Sequence, residues 1–187
     1  MDPAGDQPPF STANGMAVND RHLKRSTGPL PPGSVVCLPA AALAERMEEE
    51  INRAGRHDTP LSCLIVVIEN LDELRKAHGS ELSEQALLYV SEALRHELRR
   101  FDRVGRPSEG ELAVLLPGAD GPRGEIVARR ALQRLRAIKV EAGGERRPLR
   151  VSVGLAAWRE DVDGEELLAQ TRAAARRREN GLETIET

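Results

Sequence analysis

Arg99-Arg100-Phe101-Asp102-Arg103-Val104-Gly105-Arg106-Pro107-Ser108-Glu109-Gly110-Glu111-Leu112-Ala113-Val114-Leu115-Leu116-Pro117 is the stretch that decides the fold. Val104 to Arg106 and Glu111 to Leu116 read as strands, and Pro107-Ser108-Glu109-Gly110 between them is turn chemistry. The stretch therefore predicts an antiparallel hairpin. Pro117-Gly118 ends its second strand.

Working outward, Leu61 to Ile68 is almost continuously apolar and β-branched, the pattern of a strand covered on both faces. Leu43, Met47 and Ile51 recur every four residues and predict a helix from Pro39 to about Arg56. A short helix is expected from Leu71 to about His78, stopped by Gly79. Ser80 is placed to cap the next helix, which carries Leu87, Val90, Leu94 and Leu98 and ends near Arg99. After the hairpin, Val127, Ala131, Leu135 and Ile138 mark the inner face of a helix from about Arg123 to Ile138. Leu149, Val151, Val153 and Leu155 have strand spacing, and Gly143-Gly144 before them reads as a turn. A last helix runs from about Gly164 to Arg178. This order predicts an α/β sandwich: one mixed sheet containing an antiparallel hairpin, with helices on both faces.

Residues 1–33 are rich in Pro, Gly, Asp and Ser without apolar period, and they predict a disordered N-terminal tail before a domain spanning 34–187. A net charge of −3 with 30% charged residues gives no bulk attraction to nucleic acid or an anionic membrane. Cys37 and Cys63 have no metal-like spacing and read as small core residues in a reducing compartment. The start lacks a signal-like apolar segment, and the longest apolar run, Cys63 to Ile68, is far too short to cross a bilayer, so a cytoplasmic protein is expected. His22, His57, His78 and His96 form no ligand-like cluster, and the few aromatics offer no stacking platform for single-stranded nucleic acid.

The hairpin with its flanks, Asp102-Arg103-Val104-Gly105-Arg106 through Leu112-Ala113-Val114-Leu115-Leu116-Pro117, resembles the signature hairpin of GGDEF domains. Thr59 to Glu69 looks like that family's first strand, and Val151-Ser152-Val153-Gly154-Leu155-Ala156 looks like its fourth. The likeness extends from about Leu38-Pro39 to the C-terminal helix. As a family these domains are diguanylate cyclases, which join two GTP molecules into cyclic di-GMP.

Against that family the signature here is Ser108-Glu109-Gly110-Glu111-Leu112. The resemblance places Val67 and Gly110 where the family has Mg²⁺-binding carboxylates, and neither can coordinate a cation through its side chain. Arg75 and Lys76 stand at the family's guanine-binding Asn and the Asp after it, Asp72 at a phosphate-binding Lys, and Ser83-Glu84 where Gly-Asp is usual. These departures imply a degenerate active site and a non-enzyme, with no catalytic residue, metal ligand or cofactor assigned. Glu69, Asp72 and Glu111 could build only a displaced metal site.

The family's inhibitory product site begins with Arg-x-x-Asp five residues before the signature, and Arg99 and Asp102 match it. A further family Arg on the helix after the hairpin falls on Arg130, which shares its helix face with Arg123 and Arg134 and should meet solvent. The residue types suit guanine: one guanidinium fork can donate to both O6 and N7, while a carboxylate accepts from N1–H and the N2 amino group. Phosphodiester oxygens would take the remaining Arg donors. The expectation is a non-catalytic cyclic di-GMP receptor that uses Arg99, Asp102 and Arg130 and signals through ligand-dependent contacts. Its partners would be the ligand, a protein, and a second copy bridged by ligand. The rivals are an interaction module that binds no nucleotide, and a nucleotidyl cyclase with the displaced metal site.

Overall fold

The computed structural model describes residues 37–177 and the backbone of 182–185. The expected tail and its boundary at residue 33 lie outside the described residues. In chain order the elements are β1 (Leu38–Pro39), α1 (Ala40–His57), β2 (Leu61–Ile68), α2 (Leu71–His78), α3 (Ser80–Arg95), β3 (Arg103–Arg106), β4 (Glu111–Pro117), α4 (Gly121–Leu135), β5 (Lys139–Ala142), β6 (Glu145–Pro148), β7 (Val151–Ala157), α5 (Gly164–Arg177) and β8 (Leu182–Ile185).

Six strands form one mixed sheet in the order β1-β3-β4-β2-β7-β8. The apolar run of β2 lies between β4 and β7, antiparallel to both, which is why it has almost no polar residues. The predicted hairpin is present, with Val104 opposite Val114 and Gly105 opposite Ala113. Alternate residues along the strands feed two cores. Leu64, Val66, Val114, Leu116, Val153 and Leu155 pack beneath α2, α3 and α4, whereas Cys63, Ala113, Leu115 and Ala156 face α1 and α5. Helices therefore cover both faces, as the periodicities require.

Several boundaries differ from expectation. Ser80 is the first residue of α3 instead of its cap; Gly79 occupies the cap position at φ +89°, which favours glycine, and no side chain caps the helix. The helix ends at Arg95, leaving Leu98 and Arg99 in the loop beyond. In α4 the buried face is Gly124, Ala128, Ala131, Leu132 and Leu135, so Val127 is only half-buried. Asp120 caps this helix by accepting from the Arg123 N–H at 2.9 Å, and Pro122 fits its first turn. The Gly143-Gly144 turn joins β5 to β6 in a separate two-stranded sheet that periodicity did not reveal.

Candidate functional site

Two turns flank β3. The turn at 99–102 precedes it and the signature turn at 107–110 follows it, separated by about 13 Å of extended chain. Each holds a different set of charged residues.

At the first turn, the Asp102 N–H donates to the Arg99 carbonyl at 3.1 Å, and the Asp102 carboxylate accepts the Arg99 N–H at 2.6 Å. These reciprocal bonds fix the loop so that Arg99, Arg100 and Phe101 are exposed while Asp102 is half-buried. The carboxylate thus turns partly back onto its own loop. Burial raises the Asp102 carboxyl above its usual range, and the Arg99 N–H with the guanidinium groups of Arg99 and Arg103 offsets only part of that rise.

Arg130 projects from the exposed side of α4, its side chain 61% accessible. Its Nε lies 2.8 Å from Oε2 of Glu97, two residues before Arg99, without the alignment of a hydrogen bond. The other oxygen of Glu97 accepts a hydrogen bond from Nε of Arg134 at 2.7 Å. Glu97 is the residue that sequence reasoning missed. A Glu just past a helix end ordinarily reads as solvated, yet its side chain is 4% exposed between two arginines. Through it, Arg130 stands against the segment that carries Arg99 and Asp102. A surface groove along the same helix, lined by Arg129, Leu132, Gln133, Arg136 and Ala137, contains none of the three.

At the second turn, Ser108 and Glu109 are exposed, Gly110 is buried at φ +77°, and Leu112 lies in the core. A side chain at Gly110 would meet Leu71 Cδ2 at 3.2 Å. Val67 pairs across the sheet with Glu111 on one side and Ser152 on the other. The carboxylates nearby are engaged. Arg172 of α5 donates to both oxygens of Glu111, to one at 2.8 and 3.0 Å and to the other at 3.3 Å, Arg75 bridges Glu109 and Asp72 (2.7 Å to the latter), and Glu69 accepts from the Ser152 hydroxyl. Among the described residues no group of three or more His, Cys, Asp or Glu is placed to hold a metal ion. Nor is any described helix long and apolar enough to cross a membrane.

A mixed sheet sandwiched by helices thus carries an antiparallel hairpin with charged turns at both ends. The family model described as "Diguanylate cyclase, GGDEF domain" matches residues 40–182, and the chain belongs to that family. Diguanylate cyclase DgcP of Pseudomonas aeruginosa is 28% identical over 149 residues, covering 79% of this chain but only 22% of that protein. The diguanylate cyclase SiaD of Pseudomonas aeruginosa, solved with its activator SiaC, superposes with a TM-score of 0.73 at 22% identity, covering 79% of this chain and 58% of that one. The GGDEF domain of DgcB from Caulobacter crescentus in complex with c-di-GMP superposes at 0.72 with 16% identity, covering 83% and 92%. At these identities the superpositions establish the fold. The comparisons correct the inference of a non-enzyme: the family is one of diguanylate cyclases, and the relatives the chain matches, DgcP among them, are named as such enzymes.

Proposed function

We propose that this domain binds cyclic di-GMP at the cluster of Arg99, Asp102 and Arg130 and transmits binding through altered contacts with a protein partner or a ligand-bridged second copy. The supporting observation is the Glu97–Arg130 ion pair, which brings an arginine from α4 to the loop carrying the Arg-x-x-Asp pair. The chemistry of the cluster matches a guanine nucleotide. Arg99 and Arg130 expose guanidinium groups able to donate in pairs to guanine O6 and N7 or to phosphodiester oxygens, and Asp102 offers acceptors for the opposite guanine edge. A related GGDEF domain has been solved with c-di-GMP, and another member of the class with a protein activator, which supports both kinds of partner.

Calorimetric titration with cyclic di-GMP tests the proposal. The wild-type domain is expected to half-saturate below about 100 μM. Arg99→Ala and Arg130→Ala should each weaken binding by about 10- to 150-fold, the loss of one forked contact. Absence of binding in that range, or full affinity in both variants, would overturn it. Sedimentation with and without ligand distinguishes a bridged pair of copies from a monomeric complex.

A further inference from the structure

Glu97 divides its two oxygens between two arginines on successive turns of α4, Oε2 beside Arg130 and Oε1 bonded to Arg134. Both arginines approach it with Nε, at 2.8 Å for Arg130 and 2.7 Å for Arg134. Those side chains are 61% and 49% accessible while Glu97 is almost fully buried. Residues four apart lie one above the other on a helix face, so the two partly exposed arginines stand side by side. One buried carboxylate neutralises one of the two charges, and the pair retains a net positive charge.

We infer that Arg134 is a second anion-binding arginine of this site and that Glu97 is the positioning residue that aligns Arg130 and Arg134 into one clamp for the phosphodiester oxygens of the ligand. This rests on the cyclic di-GMP reading above and extends it to residues that the Arg-x-x-Asp pattern does not include. Pairing with the buried Glu97 restricts rotamer freedom of both arginines that the ligand would otherwise have to quench on binding. Lysine could not substitute, because a single ammonium offers no planar fork.

Field and positioning effects of Glu97 have opposite signs, which makes the inference testable. Replacing Glu97 by the neutral Gln removes a negative charge beside an anionic ligand, so a field effect alone tightens binding. Loss of alignment weakens it. In titrations with cyclic di-GMP, Arg134→Ala should weaken binding about tenfold, with Arg134→Lys recovering only part of the loss. Glu97→Gln should weaken binding about fivefold in the wild-type background and clearly less in an Arg134→Ala background, because interacting residues are non-additive. A merely structural role for Glu97 predicts equal losses in both backgrounds. Should Glu97→Gln fail to fold by circular dichroism, the exposed Arg134 variants alone decide the inference. Unchanged affinity in Arg134→Ala, or unchanged or tighter binding in a folded Glu97→Gln, overturns it while Arg130→Ala still reports the underlying site. No binding by the wild type overturns both.

Discussion

Asp102→Asn separates a carboxylate kept for recognition from one kept for the fold. Asn has the same size and an oxygen that can still accept the Arg99 N–H, now at 2.6 Å, so the reciprocal bonds of the 99–102 turn survive. Only the charge is lost. Because burial raises the Asp102 carboxyl, the ionised form is held in the folded protein at a cost. Removing that charge should leave stability at neutral pH within about 0.5 kcal/mol of wild type or improve it. Ligand affinity should fall, because a hydrogen bond to a charged acceptor contributes about 1.5–3 kcal/mol, or roughly 10- to 150-fold. The Asn amide would also oppose the guanine N2 amino group. The pH dependence follows from the sign of the shift. A folded-state carboxyl titrating above its unfolded value binds the extra proton in the native state, so its contribution to stability falls as pH rises through that acidic window. The stability gap between wild type and Asp102→Asn should therefore narrow, or reverse in favour of Asn, as pH rises from acid towards neutral. Urea unfolding at several pH values and calorimetric titration supply both measurements. A variant destabilised by more than about 1.5 kcal/mol that still binds cyclic di-GMP normally would make Asp102 a structural cap and refute the reasoning.

Arg172→Ala strands the largely buried Glu111 without its partner and should destabilise the domain by about 2 kcal/mol, read from urea midpoints; an unchanged midpoint would show the pair to be dispensable. Gly154→Ala places a methyl 2.2 Å from the Thr171 carbonyl oxygen and 2.5 Å from the Ala175 nitrogen, both backbone atoms of α5. The helix must move off the sheet, so a loss of about 3 kcal/mol or failure to fold is expected, and a normal melting temperature would contradict that packing. The buried Cys63 thiol is pushed up to about 12 by desolvation, so it should resist a thiol reagent at neutral pH until the protein unfolds. Cys37 should react first; mass spectrometry of partly labelled native protein identifies the site.

The central fold was legible because its strands are buried on both sides. Leu61–Ile68 has to be apolar throughout to lie between β4 and β7, and that requirement is written directly in its residues. The β5–β6 hairpin was not legible for the opposite reason. Its second strand, Glu145-Arg146-Arg147-Pro148, is exposed along its length, so no alternation of apolar and polar residues marks it. Two-residue β1 was equally hidden, since so short a segment has no measurable period. The displaced end of α3 has a local cause: after Arg95 the backbone turns, and Leu98 still packs on the core from a non-helical segment, imitating one more helical turn.

At the candidate site, spacing located the arginines but could not show what orders them. Arg99 and Asp102 are three residues apart, so a turn suffices to join them, and their reciprocal bonds, one between backbones and one from the Arg99 N–H to the Asp102 carboxylate, are of a kind local sequence can suggest. Arg130 lies 31 positions further along, and its relation to that turn depends on how α4 docks beside the end of α3. Glu97 supplies the link, and its burial follows from that docking. A carboxylate in this position is stable only while cations face it, since an unpaired buried charge would be strongly disfavoured. The same pairing that makes Glu97 tolerable therefore draws Arg130 and Arg134 to the loop of Arg99 and Asp102.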